Sequence, residues 1–259
     1  MKFDDLDKKM RVYETSADLC VLPGMYMVAR LDGRSFTRLT KDELEFEVPF
    51  DKRFRDLMVA TTESLMTCGF RVLYAYTESD EISLLFDPAE QVFGRKLRKY
   101  NSTLAGEASA QFSVRLGQAA SFDCRISQLP GVELVVDYFR WRNEDAARNA
   151  LNSCCYWTLR KDGLNKQQAT KRLLGLSVSQ KNELLFQFDI NFNDMPSWQK
   201  RGVGLYWETY DKAAINPITH ERIVARRRRI GTNFDLPMKD EYGEFVRSIL
   251  IQPQTPGAS

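Results

Sequence analysis

The sequence is almost without histidine. His220 stands alone among 259 residues, in the turn-like stretch Asn216-Pro217-Ile218-Thr219-His220. Metal sites built on several histidines are therefore excluded, and a Ser-His-Asp triad is disfavoured; a lone loop histidine reads as solvated. Cysteine is sparse and odd in number: Cys20, Cys68, Cys124, Cys154 and Cys155, with no C-x-x-C pair. Neither a disulfide framework nor a cysteine zinc site is supported, and a reducing compartment fits better. No apolar run approaches the ~20 residues that a membrane-spanning helix needs. Excess charge is lacking too: a net charge of +2 carries no global polyanion signature. The opening residues Met1-Lys2-Phe3-Asp4-Asp5 are polar and acidic, unlike a secretory signal. The expectation is a soluble, cytoplasmic protein with no membrane partner. Its hydrophobic content of 43% is ordinary, and its length suits one large or two small domains.

What the chain does have is a pair of aspartates, each placed just after a β-type run. Asp32 lies in Arg30-Leu31-Asp32-Gly33-Arg34, after Met25 to Ala29. Asp80 lies in Glu78-Ser79-Asp80-Glu81, after Val72 to Tyr76. Two strand-end carboxylates side by side can hold Mg²⁺ and a nucleoside triphosphate. Nucleotidyl or phosphoryl transfer is thus the leading expectation.

The element pattern supports that placement. Met25 to Leu31 reads as a strand, and Lys52 to Cys68 as a helix whose apolar face is Phe54, Leu57, Met58, Thr61, Leu65 and Met66. Arg71 to Tyr76 and Glu81 to Phe86 form a hairpin with Asp80 at its turn. Phe93 to Leu116 is a long helix with the stripe Phe93, Leu97, Tyr100, Leu104, Ala108 and Phe112, and Ser121 to Gln128 is a strand. The order β-α-β-β-α-β predicts an α+β fold with a ferredoxin-like unit, a scaffold shared by polymerase or cyclase palms and by RNA-recognition platforms. After it come helices over Val132 to Trp141, Asn143 to Lys161, Lys166 to Leu174 and Ser179 to Phe188. Strands follow over Val203 to Tyr210 and Arg222 to Ile230, then a helix over Asp240 to Ile251 and a Pro/Gly/Ser tail, 252–259. The division expected is a catalytic unit over 1–138 and a C-terminal region over 139–259 packed upon it.

Individual residues take roles on this frame. Asp32, the Gly33 carbonyl and Asp80 are the metal-ligating candidates. Glu81 supports them, because strand alternation turns it away from Asp80. Ser79, and the successive N–H groups of Gly33, Arg34, Ser35 and Phe36, are candidate phosphate donors. Arg95, Lys96 and Lys99 are candidates for a second triphosphate or an RNA 5′ end, with Lys41 and Lys52 weaker. Each motif has a plain alternative: a surface turn for Asp32-Gly33, a hairpin cap for Ser79-Asp80, a solvated face for each basic cluster.

Three motifs occur in order: Arg30 to Phe36; Tyr76-Thr77-Glu78-Ser79-Asp80-Glu81-Ile82-Ser83; and Lys181-Asn182-Glu183-Leu184-Leu185-Phe186. Together with Phe122-Asp123-Cys124-Arg125 and Tyr138-Phe139-Arg140-Trp141-Arg142, they resemble the tRNA-His guanylyltransferase family, including its Thg1-like branch of 3′-to-5′ polymerases. The resemblance implies a palm domain that adds nucleotides to the 5′ end of tRNA. The 5′ end is activated by ATP or GTP, and the 3′-hydroxyl of the incoming nucleotide attacks it with two Mg²⁺ ions present. It implies a homotetramer, with tRNA met by Arg140, Arg142, Lys200, Arg201 and the run Arg226, Arg227, Arg228 and Arg229. Trp198 and Trp207 are candidates for base stacking, although Trp207 reads more readily as core. Two departures stand out. The family's His-x-Asn-Asn motif is Ala147-Arg148-Asn149-Ala150 here, which resembles the branch that repairs 5′-truncated tRNAs. The lysine ahead of the family's proline is Val48, leaving Lys41 or Lys52 to take its place. The alternatives are single-G addition to tRNA-His, a palm-type cyclase and a non-catalytic RNA-binding module.

Overall fold

The computed structural model describes residues 2–215 and 222–251. His220 and the tail 252–259 lie outside the described residues. The chain opens with helix α1 (Phe3–Thr15), which buries none of its residues. Strand β1 (Tyr26–Gly33) leads into a short helix α2 (Phe36–Arg38), continued by a π-helical turn over Leu39–Glu43. Then come helix α3 (Lys52–Met66), the hairpin β2 (Val72–Glu78) and β3 (Glu81–Phe86), helix α4 (Leu97–Leu116) and strand β4 (Phe122–Leu129).

The β-α-β-β-α-β order read from the sequence is present. The remaining elements are α5 (Val132–Lys161), α6 (Lys166–Leu173), α7 (Val178–Phe186), α8 (Ser197–Arg201), β5 (Val203–Ile215), β6 (Arg222–Asn233) and α9 (Lys239–Ile251). The short helices α2 and α8 were not expected, and two longer features differ as well. Helix α1 is present although the sequence analysis assigns no element there. The helices expected over Val132–Trp141 and Asn143–Lys161 are one 30-residue helix, because Trp141-Arg142-Asn143 holds neither proline nor glycine. The polar side chains at that point find distant partners: the Asn143 amide donates to the Arg201 carbonyl at 3.2 Å.

All strands pair antiparallel in one sheet, ordered β4-β1-β3-β2-β5-β6. The first four strands have the ferredoxin-like order, and β5 continues the sheet from β2 in the register Tyr74↔Tyr206 and Thr77↔Val203. Strand alternation sends Met27, Ala29 and Leu31 toward a core shared with α3 and α4. Val28 faces the other way, into a core made with Val135 and Phe139 of α5 and Tyr242 and Val246 of α9. A third core lies between the C-terminal half of α5 and helices α6 and α7, around Leu151, Leu159 and Leu185.

Helix α3 starts at a well-made cap. The Asp51 carboxylate accepts from the Arg53 N–H at 2.7 Å and the Glu47 N–H at 2.8 Å. On α4, Tyr100, Leu104, Ala108 and Phe112 are fully buried, as the stripe predicts. Phe93, expected to begin that helix, instead sits before it. The residues Phe93, Gly94 and Arg95 have left-handed φ values of 53°, 59° and 58°, and the Phe93 ring is exposed.

Candidate active site

The two acidic segments meet at one end of the sheet. The Gly33 N–H donates to the Asp80 carbonyl at 3.0 Å. Asp32 stands opposite Glu81 in the β1–β3 register. Between β2 and β3 the turn is only Ser79-Asp80, and Ser79 takes a left-handed φ of 48°. That conformation is costly for a residue with a side chain and marks the turn as constrained by its surroundings. The Ser79 hydroxyl donates to the Asp80 carboxylate at 3.1 Å. Burial pushes the Asp80 carboxyl up to about 6; its own backbone N–H and Ser79 oppose the shift, and the charges of Asp32 and Glu81 add to it. Burial, with Glu81 next, pushes the Glu78 carboxyl up to about 8 against the pull of Arg142.

Asp80 and Glu81 diverge as alternation requires. Asp80 lines an open cleft. One oxygen of Glu81 accepts from Arg30 at 2.8 Å and the other from Arg142 at 2.6 Å. Arg30 and Arg125 lie 3.7 and 3.6 Å from the Asp32 carboxylate. Arg142, counted by the sequence among the RNA-facing arginines, is turned inward from α5. Its side chain is 4% exposed and also reaches Glu78 and Asp145 at 3.3 Å each.

The cleft encloses about 1150 Å³, part of it open to solvent. Ser79 and Asp80 line it, together with Thr40, Lys41, Val48 and Asp51 and, from α5, Asn149, Ala150 and Trp157. The Lys41 ammonium stands 5.1 Å from the centre of the Trp157 ring. At the cleft edge Trp198 packs under the Arg55 guanidinium, 4.7 Å away. Lys52 is exposed at the start of α3 and does not line the cleft.

The four-residue anion nest is only partly available. The Gly33 N–H is bonded to Asp80 and the Arg34 N–H to the Ser121 carbonyl at 2.8 Å, leaving Ser35 and Phe36 as candidate donors. Arg34 and Ser35 line a separate hollow with Arg38 and Glu43. Gly33 is required by its packing against Phe36: a Cβ on Gly33 would lie 2.6 Å from the Phe36 ring.

The remaining candidates lie elsewhere. Arg95 donates to the Met25 carbonyl at 2.5 Å, just before the opposite end of β1. Seven residues of strand, about 23 Å, separate Met25 from Asp32. Lys96 pairs with Asp18 at 2.9 Å, and Lys99 lies 5.6 Å from the Phe93 ring. Arg140 pairs with Asp240 at 3.1 Å, Lys200 donates to the Asn193 carbonyl at 2.6 Å, and Arg201 donates to Ser197 at 2.6 Å. On β6, Arg226, Arg227 and Arg229 are exposed, whereas Arg228 lies half-buried over the Trp207 ring. Trp207 packs against the core and donates to the Val72 carbonyl at 2.8 Å.

Among the described residues, no group of three or more histidine, cysteine, aspartate or glutamate side chains converges on a point. The donors nevertheless fit Mg²⁺, which commonly uses one or two carboxylates and completes its shell with water and substrate phosphates. Asp80, held protonatable by burial and by its acidic neighbours, is a group that a cation would relieve. Two contributors escaped the sequence reading. Arg30 could have been found by its two-residue spacing from Asp32. Trp157 lies one helical stripe along from Ala146, Ala150 and Ser153, a signal visible once α5 is read as continuous.

Comparison with known proteins agrees with this geometry. A family model described as tRNAHis guanylyltransferase matches residues 7–130, and one described as Thg1 C terminal domain matches 133–235. A tRNA(His) guanylyltransferase of Debaryomyces hansenii is 34% identical over 204 residues, 74% of this chain and 76% of its own. A probable tRNA(His) guanylyltransferase of Drosophila melanogaster is 32% identical over 92% of this chain and 86% of its own. Among solved structures, the Saccharomyces cerevisiae tRNA(His) guanylyltransferase superposes with a TM-score of 0.69 at 27% identity, covering 75% of this chain and 91% of its own. A bacterial Thg1-like protein in complex with ATP superposes with a TM-score of 0.77 at 25% identity, covering 95% and 98%. A bacterial Thg1-like protein in complex with GTP gives 0.73 at 26%, covering 96% and 100%. The chain belongs to the tRNA(His) guanylyltransferase family and is a nucleotidyltransferase.

Proposed function

We propose that this protein extends tRNA at its 5′ end in the 3′-to-5′ direction, directed by the opposing strand, and so restores tRNAs that have lost 5′ nucleotides. The observation that carries the reading is the cleft lined by Ser79 and Asp80 at the hairpin turn, with the end of β1 joined to that turn by the Gly33 N–H to Asp80 carbonyl bond. Its α5 wall supports the repair assignment, because Ala147 and Ala150 stand where the family's tRNA-His motif has histidine and asparagine. The near-complete mutual coverage with bacterial Thg1-like proteins solved in complex with ATP and with GTP supports both nucleotides as substrates here.

In this reading Asp32 and Asp80, with the Gly33 carbonyl, would hold Mg²⁺, which supplies charge neutralisation for phosphoryl-group transfer. Ser79 and the first turn of α2 orient the triphosphate. Lys41, whose ammonium lies 5.1 Å from the Trp157 ring in the cleft, takes the place of the lysine replaced by Val48. The exposed arginines of β6 and Arg140, Lys200 and Arg201 form the tRNA surface, across the subunits of a homotetramer; light scattering tests that assembly. Lys96 and Lys99 lie far from Asp80 within one chain, so in this reading they serve the site of another subunit.

The test is an extension assay with Mg²⁺, ATP and all four NTPs. A 5′-monophosphorylated tRNA lacking its first nucleotide is compared with intact tRNA-His. Extension that stops when the acceptor stem is paired supports the proposal. The names of the relatives at 30–34% identity favour a second reading, addition of a single G to tRNA-His. A G added only to intact tRNA-His would establish that reading and remove the first. Asp32→Ala and Asp80→Ala are each expected to cost at least about 100-fold in kcat, and normal activity in both would refute the site.

A further inference from the structure

Glu78 and Glu81 are the last residue of β2 and the first of β3, and they stand directly opposite each other in the hairpin register. Two carboxylates in that position crowd each other, and when both are ionised they push the strands apart. The turn that joins them is the two-residue Ser79-Asp80, with Ser79 already in a left-handed conformation. A hairpin end so composed needs a cation between its strands. Arg142 supplies it from the middle of α5, 2.6 Å from Glu81 and 3.3 Å from Glu78. Asp145, one turn along the same helix, fixes the guanidinium from behind at 3.3 Å, and the Trp141 ring lies 4.7 Å away. The ion pairs continue past Glu81 to Arg30, which stands 3.7 Å from Asp32. An unbroken series of ion pairs therefore runs from α5 through the hairpin to β1.

We propose that Arg142 is a positioning residue: by clamping Glu78 and Glu81 it closes the hairpin turn and sets the Asp80 carboxylate against Asp32. The inference rests on the reading of these aspartates as the metal-holding pair. It assigns to a buried arginine a task separate from RNA binding. The planar fork of arginine is what the task requires, since three carboxylates are met in different directions, whereas a lysine ammonium is a compact point charge.

The experiment combines Arg142→Gln, Arg142→Lys, Glu78→Gln and the double variant Arg142→Gln/Glu78→Gln. Each is measured for kcat, for KM toward tRNA and NTP, and for Mn²⁺ affinity by electron paramagnetic resonance. Arg142→Gln is expected to lower kcat by about 100-fold, the cost of a displacement near 1 Å at a reacting site. Mn²⁺ binding weakens with it, while KM for tRNA stays within about twofold. Adding Glu78→Gln removes the repulsion that Arg142 had balanced, and kcat recovers by about tenfold. Arg142→Lys falls between wild type and Arg142→Gln. A raised KM for tRNA with kcat intact would make Arg142 an RNA-binding residue and overturn the proposal. So would wild-type kcat and Mn²⁺ affinity in Arg142→Gln, or an equal loss with and without Glu78→Gln. If circular dichroism shows Arg142→Gln unfolded, Arg142→Lys decides, and wild-type behaviour there refutes the clamp. Absence of Mn²⁺ binding by the wild type, or undiminished binding by Asp80→Asn, would remove the metal reading instead; the Glu78→Gln recovery would still decide whether Arg142 holds the turn.

Discussion

Single residues near the cleft are constrained by packing as much as by chemistry. Phe36 is fully enclosed by Phe54, Phe112 and Phe122, with ring centroids 6.1, 5.1 and 4.9 Å away. The space over Gly33 is filled by that ring. Gly33→Ala is therefore expected to destabilise the fold by ~1–3 kcal/mol, the usual cost of overpacking, and urea unfolding measures it. The thiols make a second case. Burial pushes Cys68 and Cys155 up to about 11 and Cys124 and Cys154 up to about 12. Cys20 is exposed. A thiol reagent at pH 8 should label Cys20 rapidly in the native protein and the other four only on unfolding, because the thiolate is the reacting form. Rapid labelling of a second thiol would contradict this packing.

Among the elements, α3 owes its start to Asp51, whose carboxyl is held down to about 2, mainly by the Arg53 side chain. A carboxyl depressed in the folded state contributes stability that is present above its unfolded value, near pH 4, and is lost as pH falls through about 2. Asp51→Ala should cost ~1 kcal/mol and, because Asp51 also walls the cleft, raise KM for NTP; Asp51→Asn should keep most of the cap but lose that acid dependence. Elements whose pattern is local were legible in the sequence. The stripe of α4 and the β2–β3 hairpin follow from spacing alone, and the strand ends that carry Asp32 and Asp80 do meet, through the Gly33 N–H to Asp80 carbonyl bond, although of the two aspartates only Asp80 lines the cleft. The continuity of α5 was legible in the lack of proline and glycine at Trp141-Arg142-Asn143; what the sequence hid is where those polar side chains go, to Glu78, Glu81 and the Arg201 carbonyl, distant in the chain. Hidden too was the position of Lys96 and Lys99 within the chain. The left-handed turn Phe93-Gly94-Arg95 sets where α4 begins, and the N-terminal segment closes over it through the Cys20↔Lys96 bridge. No periodicity encodes that arrangement.

At the scale of the whole molecule, β5 and β6 carry the sheet beyond the ferredoxin-like unit and bring arginines to its outer edge. If tRNA lies there, Arg226→Ala with Arg227→Ala should weaken tRNA binding across sequences and reduce the slope of log affinity against log salt by about one per phosphate left unneutralised. KM for NTP should not change, and filter binding at several salt concentrations, beside steady-state kinetics, checks both. Helix α5 runs from beneath the hairpin to the cleft. At about 1.5 Å per residue it is a rod of roughly 45 Å, with no glycine or proline along its length. Such a rod holds no residue that favours a kink, and it carries both Arg142 beneath the hairpin and Trp157 at the cleft. Elsewhere the cleft is lined by a π-helical turn and a loop. The cleft therefore lies between one continuous helix and a stretch of irregular backbone, and the Lys161 ammonium of α5, donating to the Val48 carbonyl at 3.1 Å, fastens the second to the first.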